Sequence, residues 1–240
     1  GGPAPMLPLD IFASRQFSLI NVITFCVYAA FGGELFLLVL DLQAGAGFSA
    51  LAAGAALLPV TGLMLVLSPR TAALAQRAGP RRPLAAGTAT CAAGLLLMLR
   101  IGVHAAYLTD VLPAVVVFGL GLTLVVSPLT ATVLASADVR HAGVASGVNN
   151  AVARTASLIA VAGLPAVAGL GAASYHSPAD LTSRFHLAMI VCSGLLVAAS
   201  LLAITMIDDR VLRDDAEPGP AGPGRHEELP DGERARPGQL

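Results

Sequence analysis

Residues 143–157 read GVASGVNNAVARTAS, a stretch that places two asparagines and an arginine inside an otherwise apolar segment. At ~100° per residue on a helix, one face is small and polar, formed by Gly143, Ser146, Gly147, Asn150, Arg154 and Ser157. In a membrane helix Arg154 would lie about 16 Å along the axis from Gly143, at ~1.5 Å per residue. An arginine at that depth costs roughly 2.5–3.5 kcal/mol or more unless it faces a bundle interior or water. The stretch therefore predicts a membrane helix whose polar face lines a wet interior.

The composition is that of an all-α membrane protein. Hydrophobic residues make up 55% of the 240 residues and charged residues 12%, whereas soluble domains carry about 25% charged residues. The mean hydropathy is +0.76. A formal net charge of −1 argues against a nucleic-acid partner, so the lipid bilayer is the expected partner of the apolar surface.

Apolar segments of membrane-spanning length recur along the chain. Each approaches or exceeds the ~20 residues that a spanning helix needs. There are six of them, at 17–40, 48–68, 84–102, 108–135, 143–170 and 184–206. Residues 1–16 form a Pro- and Gly-rich lead-in, and residues 207–240, rich in Pro, Gly and charge, are expected to be disordered. The sequence thus predicts a bundle of six transmembrane helices.

The arginines are distributed unevenly between the two sides of this six-pass topology. One side receives Arg15, Arg70, Arg77, Arg81, Arg82, Arg140, Arg210 and Arg213. The other receives Arg100 and Arg184. Because basic residues concentrate on the cytoplasmic side of membrane proteins, we expect a plasma-membrane protein with both termini in the cytoplasm.

Polar stripes mark the first and fourth spans as well as the fifth. The first carries Asn21, Thr24, Tyr28 and Gly32 on one face, and the fourth carries Gly119, Thr123, Ser127 and Thr130. We expect these stripes to share a wet interior, in which the candidate substrate contacts are Asn21, Tyr28, Thr123, Ser127, Thr130, Asn150 and Arg154. The alternative is that they bind neighbouring backbones and only hold the bundle together. Asn149 lies off the polar face, so we expect it to form a helix–helix hydrogen bond.

Glu34 is a carboxylate inside the apolar run GGELFLLVL. It lies about 25 Å from the start of its span, at ~1.5 Å per residue. Apolar surroundings favour the protonated form of a carboxyl group, which makes Glu34 the candidate for proton coupling. The alternative is a side chain that reaches the outer interface. Its depth differs from that of Arg154, so we do not expect the two to pair.

Catalytic and metal-binding motifs are missing from the sequence. It has no GxSxG, HExxH or P-loop pattern, each of which would indicate a specific chemistry. The outer histidines His104, His176 and His186 are not spaced as metal ligands. We therefore expect neither an enzyme nor a protein with a metal or another cofactor.

The segment 68–84, SPRTAALAQRAGPRRPL, resembles the loop motif of the major facilitator superfamily. Ala72 stands in place of the motif's first glycine and Gln76 in place of its aspartate. The positions that match are Leu74, Ala75, Arg77, Gly79, Arg81 and Arg82.

Residues 118–157, from FGLGLTLVVSPL to GVNNAVARTAS, look like the C-terminal half of fourteen-span drug:proton antiporters of that superfamily, a resemblance that extends over about 7–206. It implies a six-helix half-bundle whose first, second, fourth and fifth spans line a central cavity, with the third and sixth outside. It also implies proton-driven export of amphipathic drugs or metabolites by alternating access.

The resemblance further implies a partner, either the N-terminal half of the transporter or a second half-bundle. In a chain without that partner we expect Arg154 to be exposed, because its acidic partner would belong to the missing half. The alternative from another class is a membrane scaffold or partner-binding half-bundle that transports nothing.

Overall fold

The computed structural model describes residues 14–135 and 142–207, which form helices and no strand. The α-helices are α1 Arg15–Leu40, α2 Ala50–Ala55, α3 Leu58–Ala78, α4 Arg81–Leu97, α5 Leu112–Ala135, α6 Ala142–Val167 and α7 Pro178–Met206. With α2 and α3 counted as one span, six segments within these ranges are long and apolar enough to cross a membrane. The predicted all-α fold with six spans is confirmed. The expectations for residues 1–13 and 208–240 lie outside the described residues.

Several helices extend beyond the apolar runs that predict them. α3 continues to Ala78, ten residues beyond 68, and α7 begins at Pro178 instead of 184. Ser177 caps α7 by accepting a hydrogen bond from the backbone N–H of Asp180 at 3.4 Å. Capping turns are polar, so hydropathy does not detect them.

A π-helical turn follows the end of α1, and another precedes the start of α5. Both lie on the outer side of the predicted topology. α1 continues as a π-helical turn, Asp41–Gly45, into a segment that the sequence assigns to a loop. A second π-helical turn, Tyr107–Val111, leads into α5. In the second span the chain breaks between α2 and α3, where Pro59 occupies the first turn of α3, a position that tolerates proline.

The helices pack side by side in an arc, in the order α3, α5, α4, α7, α1, α6. α5 and α6, which lie on opposite sides of the arc, also make a weaker contact with each other. The third and sixth spans, α4 and α7, therefore lie in the middle of the arc. α3 and α6 lie at its ends and leave much of their surface exposed, including Leu65 and Leu158 at 80% and 71%.

The centre of the arc depends on a close crossing of α4 and α5. A Cβ atom on Gly94 would come within 2.6 Å of the backbone nitrogen of Phe118, and one on Gly121 within 2.5 Å of that of Cys91. Glycine lets two helix backbones approach this closely. The crossing fixes α5, and through it α3, relative to the α4–α7 pair.

Candidate functional site

A groove runs along the seam between α1 and α6. It encloses about 440 Å³ and is lined by Tyr28, Phe31, Asn150, Ala153, Arg154, Ser157 and Leu158. Three of the predicted substrate contacts, Tyr28, Asn150 and Arg154, are therefore brought together. Their aromatic, amide and guanidinium groups give the groove one apolar surface and two kinds of hydrogen-bond donor.

Arg154 extends an unpaired charge from the middle of α6. Its side chain is exposed, and among residues 14–135 and 142–207 no ion pair or hydrogen bond involves its guanidinium. It lies twelve residues beyond Ala142, about 18 Å along the helix at ~1.5 Å per residue. Arg154 is exposed, as expected. At this depth in a bilayer, contact of its guanidinium with lipid would be costly.

Part of the polar stripe of α1 is used to bind α6 instead of facing water. Thr24, which is fully buried, donates a hydrogen bond to Oδ1 of Asn149 at 2.8 Å. Ser157 donates one to the backbone carbonyl of Tyr28 at 3.0 Å. The helix–helix hydrogen bond predicted for Asn149 is confirmed. The prediction that the whole stripe faces a wet interior is wrong for Thr24, because a neighbouring helix satisfies its hydroxyl group.

The groove continues along the same seam as a more apolar chamber of about 550 Å³, lined by Phe31, Gly32, Leu35, Phe36, Val39, Leu40, Gln43, Ser157 and Val161. Phe31 and Ser157 belong to both parts. The whole groove is thus polar beside Arg154 and apolar toward the π-helical end of α1. Such a surface matches an amphipathic compound.

Ser127 lines a different groove, between α3 and α5, of about 640 Å³. Its hydroxyl group lies 2.8 Å from that of Ser68. Thr123, one turn earlier on α5, is buried, and its hydroxyl group donates to the carbonyl of Gly119 at 2.7 Å. The carbonyl of Thr123 accepts a hydrogen bond from Thr71 at 2.9 Å. The polar stripe of α5 therefore mainly joins α5 to α3.

Asn21 and Thr130 line neither groove. The amide nitrogen of Asn21, which is 7% exposed, donates to the carbonyl of Phe17 at 2.8 Å. Thr130 is exposed, and its hydroxyl group donates to the carbonyl of Val126 at 3.0 Å. Their contact with a substrate stays a prediction.

Glu34 is buried inside the bundle, with 1% of its surface exposed. Within the described ranges its Oε1 atom has no hydrogen-bond partner. The alternative that it reaches the outer interface is therefore wrong. Glu34 follows Tyr28 by six residues, which places it about 120° around the axis of α1 from the groove, at ~100° per residue. No pairing with Arg154 is observed.

A second buried carboxylate, Asp41, is not among the predicted site residues. It is 1% exposed, and its Oδ1 atom accepts a hydrogen bond from Thr182 at 2.8 Å. In the sequence it ends the run LFLLVLD, where it reads as the first residue of a loop. The available signal is its spacing from Glu34, because residues seven apart lie on nearly the same helix face.

The loop motif forms a two-residue link between α3 and α4. Arg77 lies in the last turn of α3, and Arg81 and Arg82 open α4. Gly79 has a φ of 83° and a ψ of 163°, a conformation that side chains rarely adopt. This explains the glycine at this position, and the link places three arginines at one end of the bundle, the arginine-rich end.

These features define the class: an integral membrane protein whose described residues form six membrane-spanning segments, with an amphipathic groove between α1 and α6. The chain belongs to the major facilitator superfamily, whose family model matches residues 1–162. This is a family of transporters and not of enzymes.

Three relatives give the comparison more detail. The chain is 33% identical over 145 residues to the tetracenomycin C resistance and export protein of Streptomyces glaucescens, covering 60% of this chain and 27% of that protein. It is 30% identical over 164 residues to the probable actinorhodin transporter of Streptomyces coelicolor, covering 67% and 28%. The puromycin resistance protein pur8 of Streptomyces alboniger is 30% identical over 219 residues, covering 86% and 43%. The chain thus spans less than half the length of these relatives.

Proposed function

We propose that the chain forms the C-terminal half of a fourteen-span exporter that moves amphipathic drugs or metabolites out of the cell in exchange for protons. The observation that carries the proposal is the groove between α1 and α6, in which Arg154 is exposed and unpaired within the described residues. The names of the relatives, which include export and antibiotic resistance proteins, support the same substrate class.

Arg154 needs a partner, since an unpaired guanidinium at the depth of a bilayer is costly. On our proposal that partner is an anionic group of the substrate, or a carboxylate of the N-terminal half of the transporter. That half covers the exposed faces of α3 and α6 at the two ends of the arc and closes the groove. Tyr28 and Asn150, which line the groove beside Arg154, provide a ring surface and an amide for the rest of the molecule.

The proposed orientation puts the arginine-rich end in the cytoplasm. Arg15, Arg77, Arg81 and Arg82 lie at this end, which is the side where basic residues concentrate in plasma-membrane proteins. Both termini are then cytoplasmic, and the groove is polar at mid-depth and apolar toward the outer side. Alternating access by rocking one half against the other exposes it to each side in turn. Glu34 is the proposed proton-coupling residue, because it is buried and lacks a partner for Oε1 in the described part of the chain.

The test is Arg154→Ala in the full-length protein that carries this chain. Everted membrane vesicles are energised with a pH gradient, and the transport of a fluorescent amphipathic dye is followed. We expect Arg154→Ala to abolish gradient-driven transport at an unchanged level of expression, and Arg154→Lys to retain part of it. Arg100→Ala, at an exposed arginine beyond the end of α4, is the matched control and should transport normally. Undiminished transport by Arg154→Ala would remove Arg154 from the mechanism.

The second candidate function is a scaffold that transports nothing. It is favoured by the use of polar side chains for helix packing, such as Thr24 with Asn149 and Ser68 with Ser127. The two functions separate in reconstituted vesicles. A scaffold moves no dye under a pH gradient, whereas an exporter does and loses the activity when Arg154 is replaced.

A further inference from the structure

The π-helical turn at the end of α1 encloses a carboxyl group. Asp41 begins this turn and is 1% exposed. Its Oδ1 atom accepts a hydrogen bond from the hydroxyl group of Thr182 on α7 at 2.8 Å. Its Oδ2 atom is also buried and has no partner in the described part of the chain. A buried carboxylate oxygen without a hydrogen bond is costly while the group is ionised, so this oxygen marks a place where a proton is stabilised.

The backbone of the turn is folded tightly over this group. A Cβ atom on Gly45 would come within 2.5 Å of Oδ1 of Asp41 and 2.8 Å of the hydroxyl oxygen of Thr182. The N–H of Ala46 donates to the carbonyl of Asp41 at 2.9 Å. π-Helical turns are rare in proteins, and those that occur often lie at functional sites. Here the turn covers the carboxyl group with glycine backbone and holds it against α7.

Asp41 forms no ion pair among the described residues, although His186 lies close enough to interact with it electrostatically. On α7, Arg184 donates to Asp180 at 3.3 Å, and both side chains are about 40% exposed. His186 lies one turn beyond Thr182 on α7, and its Nε2 atom is 2.8 Å from the carbonyl of Ile101. The adjacent helix α2, Ala50–Ala55, has no titratable side chain. On α1 the nearest acidic group is Glu34, two turns back.

Asp41 and Glu34 lie on the flank of α1 that is turned away from the groove. They are seven residues apart, which is about 20° around the axis and about 10 Å along it. Leu35, which lines the groove, precedes Asp41 by six residues and is therefore about 120° away at ~100° per residue. The contact of Asp41 with Thr182 assigns this flank to the seam between α1 and α7.

We propose that Asp41, held by Thr182, is a proton-binding site of the transporter on the α1–α7 seam. A proton from water at the end opposite the arginine-rich end adds to Oδ2 of the carboxylate and gives the neutral acid, and the same O–H bond breaks when the proton leaves. This inference rests on the proposed exporter function and extends it. Proton and substrate then occupy opposite flanks of the same helix, so they are coupled through movement of α1 and not through direct competition.

The first experiment detects the bound proton without any transport. Infrared difference spectra of the purified full-length protein are recorded through a pH titration, to follow the C=O stretch of protonated carboxylic acids. We expect Asp41→Asn to remove one such titrating band, and the control Asp180→Asn, at an exposed ion-paired carboxylate of the same end, to retain it. An unchanged band intensity in Asp41→Asn would overturn the proposal.

Thr182→Val keeps Asp41 in place and removes its hydrogen-bond donor. It is the second test of the proton site, for use if Asp41→Asn does not fold. Because the hydrogen bond differs in strength between the charged and the neutral acid, this variant should change the pH midpoint of the same band. An unchanged midpoint would overturn the role of the Asp41–Thr182 contact.

The second experiment separates the proton site from the exporter function. In proteoliposomes, we expect Asp41→Asn to lose dye transport driven by a pH gradient and to keep dye exchange at equal pH. Gradient-driven transport at the normal rate in this variant would overturn the coupling role. If the unmodified protein moves no dye, the exporter function is refuted, and the infrared titration still decides whether Asp41 binds a proton.

Discussion

The substitution Gly32→Ala tests how tightly the groove-bearing helices are joined. Gly32 of α1 faces Ser157 of α6, and a Cβ atom on Gly32 would come within 2.8 Å of the Cβ and 2.9 Å of the Cα of Ser157. Ordinary contact begins at 3.4 Å, so the two helices must separate by about 0.5 Å at this point. The atoms involved include backbone, which means that no side-chain rotation relieves the contact.

The expected loss of stability follows from two opposing effects. Overpacking a tight contact costs roughly 1–3 kcal/mol, and alanine in a helix gains about 0.5–1 kcal/mol over glycine. The net destabilisation is on the order of 1 kcal/mol, which corresponds to a fall in Tm of about 2–4 °C for a chain of this size. Gly163→Ala on α6 is the matched control. Its Cβ meets no atom within 4 Å in the described structure, so Tm should stay the same or rise.

The chain itself suggests the assay. It has no Trp. Cys91 and Cys192 are buried and Cys26 is partly buried, so with Cys26 replaced by Ser a thiol-reactive dye reports unfolding in detergent. Gly32 also lines the apolar part of the groove, and dye export should fall along with Tm. The reasoning is refuted if Gly32→Ala unfolds at the same temperature as Gly163→Ala.

Two further predictions concern buried polar groups of α1. Thr24→Val removes the hydrogen bond to Asn149, and such bonds average ~0.6 kcal/mol in membrane proteins. Tm should therefore fall by about 1–3 °C, at roughly 2–4 °C per kcal/mol. An unchanged Tm in the thiol assay would contradict this. Glu34→Gln keeps the size of the side chain and removes the proton site, so the protein should fold and exchange dye at equal pH but lose transport driven by a pH gradient. Persistent gradient-driven transport in Glu34→Gln would exclude Glu34 from proton coupling.

The sequence predicts the number of spans and the polar face of the fifth span, α6, because both depend on local patterns. Apolar runs of about 20 residues need helices in a bilayer whatever surrounds them. The polar face of α6 is visible from residue spacing alone, and the position of Asn149 off that face correctly indicates a contact with another helix. The ends of the helices are harder to predict, since capping turns such as Ser177–Asp180 are polar.

The direction of each polar stripe is not contained in the pattern. A threonine satisfies its hydroxyl group equally well with water, with its own helix or with a neighbour. Thr24 and Thr123 both donate to a backbone carbonyl of their own helix. Thr24 also bonds to Asn149, because α1 pairs with α6, whereas α5 pairs with α3. Those pairings arise from tertiary packing. Asp41 escapes sequence reasoning for a related reason, since the π-helical turn keeps it within the bundle after the apolar run has ended.

The two flanks of α1 are suited to different tasks. Toward α6, Gly32 brings the backbones of the two helices together at Ser157, and on our proposal α1 and α6 move as one unit that carries the groove. Toward α7, the contact includes the hydrogen bond between Asp41 and Thr182, and hydrogen bonds to a charged carboxylate are roughly twice as strong as neutral ones. On our proposal, protonation therefore weakens the α1–α7 seam and leaves the α1–α6 seam intact. The groove then shifts with α1 relative to the α4–α7 pair, a movement within this half that would accompany the proposed rocking of one half against the other.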